Sequence, residues 1–215
     1  GTAYRDVMKW VRSLDMMRDF GAEYLVPCHT RPLTGSAAIE ETLTAYRDAI
    51  QYVHDQTLRG LNRGKTPDEL AASISLPPSL ARHPWIVESY GTVTWSVRGV
   101  YDGYLGWFNG DAATLNPLTP EDRAQRLAKA FTTGMPIQEQ AIVALAEKDY
   151  QWCAELAREW TRIEPESKEA RTTLAACFEA LGATQTNANA RNYYLTQAME
   201  WRGDIEITPP DPSRV

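Results

Sequence analysis

The chain has 215 residues, 43% of them hydrophobic and 23% charged, which excludes wholesale disorder and suits one or two globular domains. With 22 basic against 28 acidic residues it carries a formal charge of −6, which argues against a surface built to hold nucleic acid or an anionic membrane. No apolar run approaches the roughly 20 residues that span a bilayer, and Gly1 to Trp10 lacks a signal peptide's apolar core, so the chain reads as soluble, with no transmembrane segment and no signal peptide.

Tyr4, Val7, Met8, Val11, Leu14, Met17 and Phe20 recur at three- and four-residue steps, which predicts a helix closed by Gly21. Tyr24-Leu25-Val26, stopped by Pro27, predicts a short strand. Helix, glycine, strand and polar turn together read as the αβ half of an α/β unit. From Ser36 the pattern is helical again, running out near Gly60 to Gly64. Ile39, Leu43, Tyr46, Ile50, Val53 and Thr57 form a heptad-like seam on it, and such a seam buries against another helix, of this chain or of a partner. Thr66-Pro67-Asp68-Glu69 is a helix start: a Thr cap, Pro at the first position and Glu returning the capping bond.

Leu76 to Trp85, with three prolines, reads as an irregular connection. Val97, Val100, Tyr101, Tyr104, Leu105 and Phe108 are spaced for a helix ending at Asn109-Gly110. Thr119-Pro120 starts another, with Ala124, Leu127, Ala128 and Phe131 on its apolar face and Gly134 and Pro136 stopping it. The last third reads as helical hairpins, with Ile142, Leu145 and Ala146 facing one way. Asp149-Tyr150, Cys153 and Pro165, then Leu174, Ala175 and Phe178, fall on packing positions of the 34-residue tetratricopeptide repeat, although Trp160 stands where that repeat prefers a small residue. Ile205 to Val215, with three prolines, reads as a linker.

Cysteines and histidines are sparse. Cys28, Cys153 and Cys177 form no CxxC pair, so neither a zinc knuckle nor a disulfide framework is indicated; Cys153 and Cys177 read as inert buried thiols. His54 flanks the helical seam and His83 reads as a turn residue. His29 is the informative one. A strand end, Pro27, His29 and a turn are how a metal-binding fold presents an imidazole at a sheet edge, the alternative being a turn histidine that bonds backbone.

Tyr24-Leu-Val-Pro-Cys-His-Thr-Arg-Pro-Leu-Thr-Gly35 and its preceding helix, with Thr44-Ala-Tyr-Arg-Asp-Ala-Ile-Gln-Tyr-Val-His-Asp-Gln-Thr57, resemble the metallo-β-lactamase-fold alkyl sulfatases. Tyr90-Gly91-Thr92, Arg98, Tyr101 and Gly103-Tyr-Leu-Gly-Trp-Phe-Asn-Gly110 fit the same family, so the resemblance runs from about Tyr4 to Arg202. It implies a mainly α chain: a helical dimerisation domain with tetratricopeptide-like hairpins, preceded by a short αβ remnant of a metallo-β-lactamase-type sandwich. The corresponding boundaries are 1–36 for the edge of the hydrolase domain, 37–136 for the dimerisation domain, 137–203 for the hairpins continuous with it, and 204–215 for a Pro-rich linker.

The resemblance further implies that His29 matches a zinc ligand and that the intact enzyme hydrolyses alkyl sulfate esters at a two-zinc site. The family's HxHxDH motif is absent from this sequence, so the chain alone is expected to be inactive and to bind no zinc tightly. Arg98 and Tyr104 are carried over as substrate-binding candidates, since Arg suits sulfate oxygens and Tyr can donate to one. The alternative is a surface Arg paired to Asp102 and a Tyr in an aromatic cluster. Thr94 and Trp95 stand in a stretch where the family leads one to expect a histidine. Partners implied are a second copy of the chain, with Ile39, Leu43, Tyr46, Ile50 and Val53 as the dimer or core seam, and a bacterial, periplasmic or secreted parent. A purely helical interaction module is the competing function.

Overall fold

The computed structural model describes residues 4–131 and 134–206. Among these it is mainly α, with ten α-helices and one two-stranded sheet. The packing divides into two compact units, one ending at Leu115 and one beginning at Asn116.

In the first unit, α1 (Val7–Asp19) is capped by the Asp6 carboxylate, which accepts from the Lys9 N–H. α2 (Ser36–Leu61) is the long predicted helix. The two are antiparallel: Arg18 meets Glu40, whereas three residues earlier Asp15 accepts from Arg47 Nε at 3.1 Å. Between them β1 (Tyr24–Leu25) pairs antiparallel with β2 (Leu33–Thr34), Tyr24 opposite Thr34 and Leu25 opposite Leu33. The expected αβ half-unit is therefore a β-hairpin. Leu33-Thr34 is too short to show alternation, so its strand character comes from pairing alone. Leu25 and Leu33 pack on Leu14, Ile39 and Leu43.

α3 (Pro67–Ser73) has the full capping box: the Thr66 hydroxyl accepts from the Glu69 N–H, and the Glu69 carboxylate accepts from the Thr66 N–H at 2.8 Å. One helical turn, α4 (Pro78–Ala81), interrupts the connection expected to be wholly irregular. α5 (Val93–Leu105) starts on a Thr92 cap and stops at Gly106, whose φ of 76° a side chain resists. It ends short of the predicted Asn109-Gly110, and Tyr101 packs inward with Val53, Leu70, Ala71 and Val97.

The second unit stacks α6 (Pro120–Ala130), α7 (Ile137–Ala146), α8 (Tyr150–Ile163), α9 (Lys168–Thr184) and α10 (Ala188–Arg202). Consecutive helices from α7 to α10 pack on one another, and α6 packs on α8. Their core contains Ala141, Ala144, Cys153, Leu156, Trp160, Leu174 and Cys177. The inward face of α7 differs from expectation: Ile137, Ala141 and Ala144 are buried, while Ile142 is 42% exposed. Small residues let α7 approach α8 and α9 closely, and the larger Ile142 is turned out. Trp160 is buried, with its indole N–H donating to Glu164 at 3.0 Å.

Cys153 and Cys177 correct the reading of free thiols. Their sulfurs are joined in a disulfide across α8 and α9, with Cα atoms 6.0 Å apart, inside the bridging range. The small-residue positions assigned to them face one another across the helix pair, and a separation of 24 residues conceals that in sequence. Of the linker, only Ile205 and Glu206 lie within the described residues.

Candidate functional site

The β-hairpin holds its connecting loop, residues 26–32, away from the core, and His29 sits exposed on that loop beside the exposed thiol of Cys28. The His29 ring lies 6.1 Å from the Tyr90 ring, centroid to centroid, and the Arg31 guanidinium carbon lies 5.6 Å from the centre of a Trp85 ring. The segment from His83 to Thr92 is thus laid against the loop. His83 ties that segment down: its Nδ1 accepts from the Trp85 N–H at 3.3 Å, and its Nε2 is 3.8 Å from Glu41 on α2. Among the described residues no three His, Cys, Asp or Glu side chains converge as a metal cage, so His29 is presented without companion ligands. A zinc site takes three or four donors, and this donor set does not complete one.

Arg98 and Tyr104 are engaged elsewhere. The Arg98 guanidinium donates to Asp68 on α3 at 2.6 Å, not to Asp102. The Tyr104 hydroxyl lies 2.9 Å from His54 Nε2, and His54 Nδ1 lies 2.9 Å from Asp55 Oδ1. A carboxylate only accepts, so Nδ1–H donates to Asp55, and in the neutral ring Nε2 accepts from the Tyr104 O–H. Burial of the hydroxyl, together with the nearby Tyr4, Asp6 and Asp55, raises the Tyr104 pKa above the ordinary tyrosine value. The hairpin carrying His29 packs at Ile39 and Leu43, whereas Tyr104 meets α2 at His54. About 27 Å of helix rise separates Ser36 from His54.

His54 is the residue that sequence reasoning undervalued. It is 5% exposed although it was placed merely beside the seam. Its spacing from Ile50 and Thr57, four and three residues, does put it on the inward face, and that was the available signal.

The seam itself is shared out within the chain. Ile39 and Leu43 are buried against α1 and the hairpin, and Val53 against α3 and α5. These three are therefore not free to meet a second copy. Tyr46 and Ile50 instead line an apolar cleft of about 780 Å³ between α1, α2, α5 and the 85–92 segment. Thr94, in the first turn of α5, also lines the cleft, and Trp95 beside it is 43% exposed.

A mainly α chain of packed helices, with one histidine displayed on a hairpin loop, defines a helical domain. The model of the family described as alkyl sulfatase dimerisation matches residues 66–204, and the chain belongs to that family. It is 45% identical to a linear primary-alkylsulfatase of a Pseudomonas species, over 96% of this chain and 39% of that protein. It is 36% identical to an alkyl/aryl-sulfatase of Saccharomyces cerevisiae, over 95% of this chain and 32% of that protein. The solved structure of a stereoselective inverting sec-alkylsulfatase from Pseudomonas superposes with a TM-score of 0.90 at 30% identity, covering 96% of this chain and 33% of that one. The chain thus spans 32 to 39% of the length of these relatives.

Proposed function

We propose that this chain is the helical, dimer-forming part of a zinc-dependent alkylsulfatase of the metallo-β-lactamase type, which hydrolyses alkyl sulfate esters to alcohol and sulfate. The observation that carries the reading is the 45% identity to a linear primary-alkylsulfatase along 96% of the chain. In support, the hairpin loop offers His29 outward from a packed base, where it can serve as one ligand to a metal whose remaining ligands come from outside these residues. Because the described donors do not form a zinc site, no catalytic step is assigned to this chain alone. Sulfate contacts by Arg98 and Tyr104 belong to the same proposal, and each side chain would have to release its present partner, Asp68 or His54, to make one.

The experiment is turnover of dodecyl sulfate. The 215-residue chain is expected to show none with zinc added, and His29→Ala is expected to lower turnover by the full-length enzyme by at least about 100-fold, the scale on which zinc chemistry depends on its ligands. Zinc-dependent turnover by the chain alone, or a full-length His29→Ala enzyme as active as the wild type, overturns the reading.

A further inference from the structure

His83 occupies a joint that is more than a turn. Its backbone N–H donates to the Leu80 carbonyl just past α4, and its own carbonyl accepts from the Ile86 N–H at 3.0 Å. Pro84 follows with a fixed φ and no N–H, so a reverse turn runs from His83 to Ile86. The remaining N–H of that turn, on Trp85, goes to the His83 side chain, whose Nδ1 accepts it at 3.3 Å. A nitrogen that accepts carries no hydrogen, so in the neutral ring the hydrogen is on Nε2, which faces the Glu41 carboxylate of α2 at 3.8 Å. The far end of the segment is fixed as well, because the Glu88 carboxylate accepts from the Val93 N–H at 2.6 Å.

The side chain that this joint places is Trp85. The Arg31 guanidinium carbon lies 5.6 Å from the centre of its ring, within the distance at which an aromatic face holds a cation. Arg31 is two residues along the loop from His29. Residues 28–32 are exposed, and the strands that anchor the loop are two residues each. A contact made at Arg31 therefore bears directly on where the loop stands.

We propose that His83 is a positioning residue for the His29 loop, acting through the Trp85 N–H and the Arg31–Trp85 contact without itself touching substrate. Its bearing on turnover rests on the alkylsulfatase reading; the link from His83 to the loop rests on these contacts alone. Two substitutions separate the two ring nitrogens. In asparagine Oδ1 is bonded to Cγ as Nδ1 is, so His83→Asn keeps an acceptor for Trp85. In glutamine the amide reaches about as far as Nε2, so His83→Gln keeps a donor toward Glu41 and loses that acceptor.

The first measurement is NMR of the 215-residue chain, reading the ring-current shifts that Trp85 imposes on Arg31 and Tyr90 on His29. His83→Asn is expected to keep both at wild-type values, and His83→Gln to move both toward those of exposed residues. The second is turnover of dodecyl sulfate by the full-length enzyme. His83→Gln is expected to lower kcat about ten- to 100-fold, the scale on which small misplacements cost rate, with KM changed less than about threefold. His83→Asn restores at least about half of the wild-type kcat. Trp85→Leu removes the ring under Arg31 while leaving His83 in place; it repeats the His29 shift and the kcat loss, and serves if His83→Gln does not fold. Wild-type shifts in His83→Gln, lost shifts in a folded His83→Asn chain, or wild-type turnover by His83→Gln or Trp85→Leu overturns the proposal. A full-length wild type without sulfatase activity sinks the sulfatase reading alone, and the resonances still decide whether His83 sets the loop.

Discussion

Gly60 and Leu70 show how closely single residues are fitted. Gly60 lies in the last turn of α2, where a Cβ would overlap the Leu70 side chain. Leu70 is 2% exposed and packed among Val53, Ala71, Val97 and Tyr101, so it has nowhere to swing. Gly60→Ala gains about 1 kcal/mol in helix propensity but forces the core apart, which costs about 1 to 3 kcal/mol. The expected outcome is a lower midpoint in urea; a midpoint equal to or above wild type would show that Leu70 relocates freely. Gly99→Ala makes the same chemical change on a helix with open space around it and is expected to leave stability equal or higher, so the pair separates crowding from propensity. His54 belongs to this scale too, since one buried imidazole links α2 to the end of α5 through Tyr104.

At the scale of elements, the start of α3 depends on its cap. The Thr66 backbone N–H and hydroxyl hold the Glu69 carboxyl below its ordinary pKa, the backbone bond contributing most. A carboxyl depressed on folding stabilises above its unfolded pKa of about 4.3, and that contribution is lost as pH falls through the lower folded value. Thr66→Ala removes the cap, and about 1 kcal/mol of stability is expected to go with it at pH 7. Denaturation midpoints measured from pH 7 down to pH 3 should show the deficit narrowing below about pH 4. A deficit constant across that range would mean that the Thr66 hydroxyl adds nothing to the carboxylate's hold, since alanine keeps the backbone bond to Glu69. In the second unit, α8 and α9 are tied both by core packing and by the Cys153–Cys177 disulfide, while Arg123 and Arg162 converge on Glu159 to join α6 to α8.

For the whole molecule, the consequence of burying Ile39, Leu43 and Val53 inside the chain is that a second copy must meet other apolar surface. Large side chains stand in water in both units, among them Phe20, Val26 and Trp107 in the first and Trp152 and Tyr193 in the second. A two-fold homodimer burying more than about 2,000 Å² is the proposed state. Light scattering at micromolar concentration is expected to give about 48 kDa, twice the 24.1 kDa of one chain; a mass near 24 kDa would rule the dimer out. Ile50→Asp sharpens the point. Ile50 lines the cleft and touches the α1–α2 core, so the variant is expected to melt lower yet keep the dimer mass.

Helix starts and the long helices were legible in the sequence, because caps and three-to-four periodicity are local. Thr66 and Thr119, each followed by proline, cap the helices that follow them. His29 stood out through its turn chemistry and through the resemblance of the segment around it. Tertiary structure decided the rest. Leu33-Thr34 is a strand only because Tyr24-Leu25 pairs with it, and α7 turns Ile142 outward because alanines allow the closer approach. Cys153 meets Cys177, Arg98 meets Asp68 and Tyr104 meets His54 across 24, 30 and 50 residues of chain. Periodicity reports which face of a helix is apolar; which neighbour covers that face, and whether a gap is left beside Gly99, depends on contacts between segments far apart in sequence.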